Sequence, residues 1–136
     1  MVCEIVRDPI LLSRRSDNAN VTDRETGENL LDTLRANADR CAGLAANMIG
    51  ESKRIIAFFD GKEAVLMYNP EILSKAGVYR TEEGCLSLDG VRPTRRYKMI
   101  KVRYLNGQFK IRICNYAGYT AQIIQHEIDH LDGILI

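Results

Sequence analysis

Near the end of the chain the sequence reads Tyr119-Thr120-Ala121-Gln122-Ile123-Ile124-Gln125-His126-Glu127-Ile128-Asp129-His130-Leu131, followed by Asp132-Gly133. Ile124, Ile128 and Leu131 recur at i, i+4 and i+7, the apolar stripe of an amphipathic helix. Asp132-Gly133 halts it. Residues four apart on a helix lie about 40° apart in azimuth and about 6 Å apart along the axis. His126 and His130 therefore project from one face and can reach a single metal ion at about 2.0–2.1 Å each. Glu127 points about 100° around the helix, near enough to take a proton from a water on that ion without becoming a ligand. A divalent metal lowers the pKa of its water toward about 7. A neighbouring carboxylate can accept the proton and return it to a leaving amine. His-Glu-x-x-His on a helix is thus half of a site for metal-assisted hydrolysis. His126 and His130 are the only two histidines in the chain.

Upstream of this helix lie strand signals. Met99–Leu105 alternates Ile100 and Val102 with Lys101 and Arg103, Asn106-Gly107 marks a hairpin turn, and Phe109–Cys114 is the return strand. Arg54–Phe59 and Ala64–Tyr68 flank Asp60-Gly61, a second hairpin, and Asn69-Pro70 is expected to end that strand. Gly77–Thr81 is a further strand candidate. Earlier still, Leu30, Leu31, Leu34, Ala38 and Cys41 give Asn29–Cys41 a helical stripe, with Gly43 as its stop. The polar segment Ser13–Gly27 reads as a surface loop. A helix, short-linked strands and a second helix make an α+β pattern, with largely antiparallel strands packed around the C-terminal helix.

The chain has 136 residues, which predicts one domain over residues 1–136. Its 46% apolar and 27% charged content excludes disorder, fibrous repeats and a coiled coil. No run approaches the roughly 20 apolar residues of a membrane span. The start, Met1-Val2-Cys3-Glu4-Ile5-Val6-Arg7, lacks a basic segment leading into an apolar one, so no signal peptide is expected and a cytoplasmic address is. A net charge of +1 argues against direct nucleic-acid binding. The cluster Arg92, Arg95, Arg96, Lys98, Lys101 and Arg103 reads as the solvated face of a strand.

Two histidines leave a catalytic site short of a third ligand. The best candidate is Cys85, in Glu82-Glu83-Gly84-Cys85-Leu86-Ser87, where flanking carboxylates and Gly84 point to a tight backbone rather than a packed core. A thiolate is a soft ligand that the metal itself deprotonates. Cys3, Cys41 and Cys114 lie in apolar surroundings and read as buried thiols, with no Cys-x-x-Cys pair and no disulfide framework. Asp129 and Asp132 are alternative ligands, read first as helix surface.

These motifs resemble peptide deformylase, the metalloenzyme that removes the formyl group from the N-terminal formyl-methionine of new bacterial and organellar proteins. Gly43-Leu44-Ala45-Ala46, Glu83-Gly84-Cys85-Leu86-Ser87 and Gln125-His126-Glu127-Ile128-Asp129-His130-Leu131 occur in the family's order. Arg7-Asp8-Pro9 and Arg96–Asn106 also resemble it. The resemblance implies that Cys85, His126 and His130 bind one divalent metal. That metal is typically Fe2+ in the cell, with Zn2+, Ni2+ or Co2+ able to replace it. It implies Glu127 as general base and then acid, and the Leu86 backbone N–H as a partner of the developing oxyanion. It implies that the Gly43 backbone pairs with an extended N-formylmethionyl peptide, and that Arg96 lies at the rim of the methionine pocket. A monomer is the expected state. With the chain stopping shortly after His130, docking to the ribosome through a C-terminal helix is not expected.

The family pattern departs at three places. Cys41 stands where the first motif begins with Gly, and Met48 where it ends with a Gln that donates to the substrate oxygen. The Pro usual after the second motif is absent from Leu88-Asp89-Gly90. Met cannot donate a hydrogen bond. These departures leave two further readings open: a related amidohydrolase with another N-acyl substrate, and a catalytically weak metal-binding homologue.

Overall fold

Asp60 and Glu63 face each other across a two-residue turn in which Gly61 takes a positive φ of 65°, so the Asp-Gly signal closes the hairpin it predicts. The computed structural model describes residues 1–135. Its elements are α1 (Pro9–Leu12), a 3-10 turn (Val21–Asp23), α2 (Arg24–Ala36), β1 (Gly43–Ala45), a second 3-10 turn (Ala46–Ile49), β2 (Ile55–Asp60), β3 (Glu63–Cys85), β4 (Leu88–Leu105), β5 (Ile111–Ala117) and α3 (Gly118–Leu131). The strands form one five-stranded antiparallel sheet in the order β1-β2-β3-β4-β5. Helices at both ends of the chain complete the expected α+β fold.

β3 does not stop at Asn69-Pro70. It passes through a bulge between Tyr68 and Glu71, with Asn69 at φ 52°. A bulge tolerates Pro because the extra residues need no ladder donor. The Asn69 side chain uses the kink: its Oδ1 accepts from Ala19 N at 2.7 Å and its Nδ2 donates to Ala19 O at 2.9 Å. The Gly77–Thr81 segment is thus one stretch of a long β3–β4 hairpin whose tip is Leu86-Ser87, beside Cys85. At the other end of β4 the connection is longer than Asn106-Gly107 alone predicts. Asn106 Oδ1 accepts from Gln108 N at 3.0 Å and Lys110 N at 3.1 Å, which delays β5 to Ile111.

α2 is shifted from the expected Asn29–Cys41. Asn20 caps the preceding 3-10 turn by accepting from Thr22 N at 2.9 Å, and helix follows from Arg24. Val21–Gly27 is therefore helical rather than loop. At the far end Asn37 turns its amide back onto Thr33 O at 2.8 Å, and Gly43 opens β1 instead of stopping a helix.

Leu30 and Leu34 of α2, Leu44 of β1, Phe58 of β2, Val102 of β4, and Ile124 and Leu131 of α3 meet in one fully buried core. Most of the basic cluster faces solvent along β4, but Arg96 is 4% exposed and turned inward. All four cysteines are free thiols, and Cys3, Cys41 and Cys114 are half-buried rather than buried; of these three only Cys41 packs against the core. Among the described residues, no helix is long and apolar enough to cross a membrane.

Candidate metal centre and active site

The tip of the β3–β4 hairpin folds against α3, so Cys85 meets His126 and His130. Their ligand atoms all lie within 4.8 Å of one another. The two imidazole Nε2 atoms are 2.9 Å apart, with the rings edge to face. Ser87 N–H donates to the Cys85 sulfur at 3.4 Å.

Glu83 fixes the first histidine. Its Oε1 lies 2.7 Å from His126 Nδ1, which directs His126 Nε2 at His130. The same carboxylate accepts from Arg96 Nε and Nη2 at 2.9 and 2.7 Å and from Gln122 Nε2 at 2.9 Å. Burial disfavours charge on Glu83, but the bonds from His126, Arg96 and Gln122 outweigh it and hold the carboxyl at about 2. Arg96 Nη1 reaches on to Asp129 Oδ2 at 2.6 Å. Asp129 is half-buried against Arg96, where burial raises its pKa, and so is not the open helix surface expected. Asp132 is exposed and pairs with Arg54 at 2.9 Å.

This donor set fits a cation. Two buried ring nitrogens and the sulfur of half-buried Cys85 converge on one another. Burial opposes charge on His126, yet Cys85 and Glu83 overcome it and push that ring up to about 10. Burial and then His126 push His130 down to about 3, so before a metal binds the positive charge sits on His126 while His130 stays neutral and can offer a lone pair. Two imidazoles and one thiolate match a three-ligand catalytic metal site with a coordination position left for solvent or substrate.

Glu127 is 3% exposed, and its Oε1 has no hydrogen-bond partner. Burial pushes its pKa up to about 7. A carboxylate poised there can both take and return a proton near neutral pH.

Gly43 explains how β1 reaches the site. A Cβ on it would sit 2.7 Å from Ile123 Cγ2 and 2.9 Å from Glu127 Oε2, so only glycine lets the strand lie across α3. β1 pairs with β2 on one side only, leaving its other edge open. That edge borders a cleft of about 590 Å3 lined by Cys41, Gly43, Leu86, Ile123, His126 and Glu127. Leu86 sits in the tip of the hairpin, adjacent to Cys85.

Arg96 is not among the residues lining this cleft. It was expected at the rim of the methionine pocket, but Glu83 and Asp129 engage its guanidinium in the interior. Met48 lines the cleft and is 1% exposed, with its sulfur accepting from Ala45 N at 3.4 Å. Asn47 cannot stand in for the absent Gln, since its Nδ2 is committed to His130 O at 2.8 Å. Cys41 is a neutral thiol: burial, then Glu127, push it up to about 11. Sequence reasoning missed Glu83, Gln122 and Ser87. A signal for Glu83 was available, because residues two apart on a strand share a face, and Glu83 precedes Cys85 by two.

The sequence profile of the polypeptide deformylase family matches residues 2–136. The chain is 50% identical over 136 residues to a peptide deformylase of Clostridium beijerinckii, covering 100% of both chains. It is 41% identical over 133 residues to one from Desulforudis audaxviator, covering 94% of this chain and 85% of that one. The Met-Ala-Ser-bound crystal structure of a class I type b peptide deformylase from Acinetobacter baumannii superposes with a TM-score of 0.88 at 28% identity, covering 99% of this chain and 97% of that one. The peptide deformylase of Thermotoga maritima gives 0.86 at 33% identity, covering 99% and 95%. Cys85, His126, His130 and Glu127, joined on this fold, together with these matches over nearly the whole chain, place the protein in the polypeptide deformylase family.

Proposed function

We infer that the chain is a metal-dependent peptide deformylase that hydrolyses the N-formyl group of N-formylmethionyl peptides. The observation that carries this reading is the convergence of Cys85, His126 and His130 beside the unpartnered carboxylate of Glu127, under an open strand edge. Cys85, His126 and His130 hold one divalent cation, which we assign as Fe2+ in the cell, with Zn2+, Ni2+ or Co2+ able to replace it. When bound, such an ion supplies Lewis acidity and makes a water nucleophilic near neutral pH.

The chain's own groups do the rest. The free edge of β1 at Gly43 pairs with the substrate backbone and fixes the formyl group over Glu127. Glu127 takes a proton from the attacking water and delivers it to the departing amine, so formate and a free amino terminus leave. The Leu86 N–H, beside Cys85, donates to the oxygen that becomes negative as water adds. Glu83, held by Arg96 and Gln122, keeps His126 turned toward its partners. The Acinetobacter relative binds Met-Ala-Ser, a peptide of the kind this reaction releases. The same reading takes the protein as one catalytic unit, acting as a monomer in the cytoplasm where newly made chains carry the formyl group.

The test is formate release from formyl-Met-Ala-Ser by iron- or cobalt-loaded protein kept anaerobic, with Glu127→Ala as control. Turnover well above the control is expected, and equal rates would refute the reading.

A further inference from the structure

The geometry leaves a bound peptide one way out along β1. Gly43 lies over Glu127, and beyond it Ala45, Ala46 and Met48 are fully buried. In the other direction Ala42 and Cys41 are half-buried, Arg40 is exposed, and all three line the cleft. A peptide with its formyl end at the metal ligands and its backbone on the free edge of β1 must leave past Cys41 and Arg40. It therefore runs opposite to β1, as an added antiparallel strand. Arg40 lies in the turn between α2 and β1, three residues before Gly43 and so at most about 10 Å from it at about 3.4 Å per residue, within reach of the third or fourth residue of the substrate.

Arg40 carries a charge with no partner of its own sign-opposite kind. Its guanidinium donates to Asn37 Oδ1 at the end of α2, and among the described residues no carboxylate forms an ion pair with it. The facing wall holds Asp89, already paired with Arg7 at 2.6 Å, and Glu82. A peptide leaving along the edge of β1 thus passes a cation that no carboxylate pairs with among the described residues.

We propose that Arg40 is a specificity-determining residue, favouring substrates with an acidic side chain at the third or fourth position over those with a basic one. The proposal rests on the deformylase reading above. Exposed ion pairs are weak, so the discrimination is about twofold to fivefold.

Formyl-Met-Ala-Xaa-Xaa peptides with amidated ends, where Xaa is Asp, Ala or Lys, test it with metal-loaded enzyme. The wild-type chain is expected to prefer Asp over Lys in kcat/KM, mainly through KM, and to lose that preference in about 1 M salt, where screening reaches about 3 Å. Arg40→Ala is expected to flatten the series and Arg40→Glu to invert it. Glu82→Gln, which removes the facing charge, is expected to widen the preference for Asp. A ratio of Asp to Lys that Arg40→Glu leaves unchanged would overturn the proposal, as would a preference for Lys that Glu82→Gln removes. Either result leaves the deformylase reading intact. Release of no formate from any peptide overturns that reading, and the proposal with it.

Discussion

Met48 is the cleft residue whose chemistry departs most from the family pattern. It lies in the cleft wall where the family pattern has a donor, and its thioether can only accept, as it does from Ala45 N at 3.4 Å. A missing oxyanion donor typically costs on the order of 10²–10³ in rate. Met48→Gln is therefore expected to raise kcat at least tenfold, read by steady-state formate release. Because Met48 is 1% exposed, the same change is expected to lower the melting temperature by burying an amide. Glu83 gives a second prediction at this scale. Glu83→Gln weakens the bonds that orient His126 and is expected to weaken metal affinity about 10- to 100-fold, measured by competition with a chelator. Histidines four apart become neighbours as soon as the helix forms, so the pairing of His126 with His130 was legible from spacing alone. Glu83 and Arg96 were harder: residues 83, 96 and 129 meet only after β3, β4 and α3 pack, and no local period encodes that meeting.

Strands and helices were legible where local chemistry and final structure agree. The Asp60-Gly61 hairpin and α3 show this, one from its turn and the other from its stripe. α2 was misplaced because its first turns are polar and its entry depends on Asn20, whose capping role is invisible to apolar periodicity. β3 was cut short because Asn69-Pro70 stops a strand in most settings, whereas here the bonds from Asn69 to Ala19 hold the bulge. β1 offers the prediction that belongs to this scale. Gly43→Ala places a methyl 2.7 Å from Ile123 Cγ2 and 2.9 Å from Glu127 Oε2. Overpacking of this kind costs about 1–3 kcal/mol. Urea unfolding is expected to show that loss, and the kinetics a larger fall in kcat than stability alone explains, since the methyl displaces Glu127.

For the whole molecule, a metal held by Cys85, His126 and His130 would be a cross-link as well as a reagent. Cys85 ends a long hairpin, while His126 and His130 sit on the final helix, so one ion on these ligands would tie together segments about 40 residues apart. Ligand bound to the native state alone stabilises by about 4 kcal/mol at a thousandfold excess over Kd. Chelation is expected to lower the melting temperature by several degrees, reversed on adding Fe2+ or Co2+ without oxygen. An unchanged melting curve would mean that the hairpin tip is held to α3 by Glu83 and Arg96 alone. The brevity of β1 also has a consequence for how the molecule behaves in company. An unprotected ladder edge invites other sheets to stack on, and short edges blunt that hazard. With only three residues before the chain turns inward, β1 can grip a single passing thread and let it go, yet is too short a seam for neighbouring copies to be stitched into a fibre.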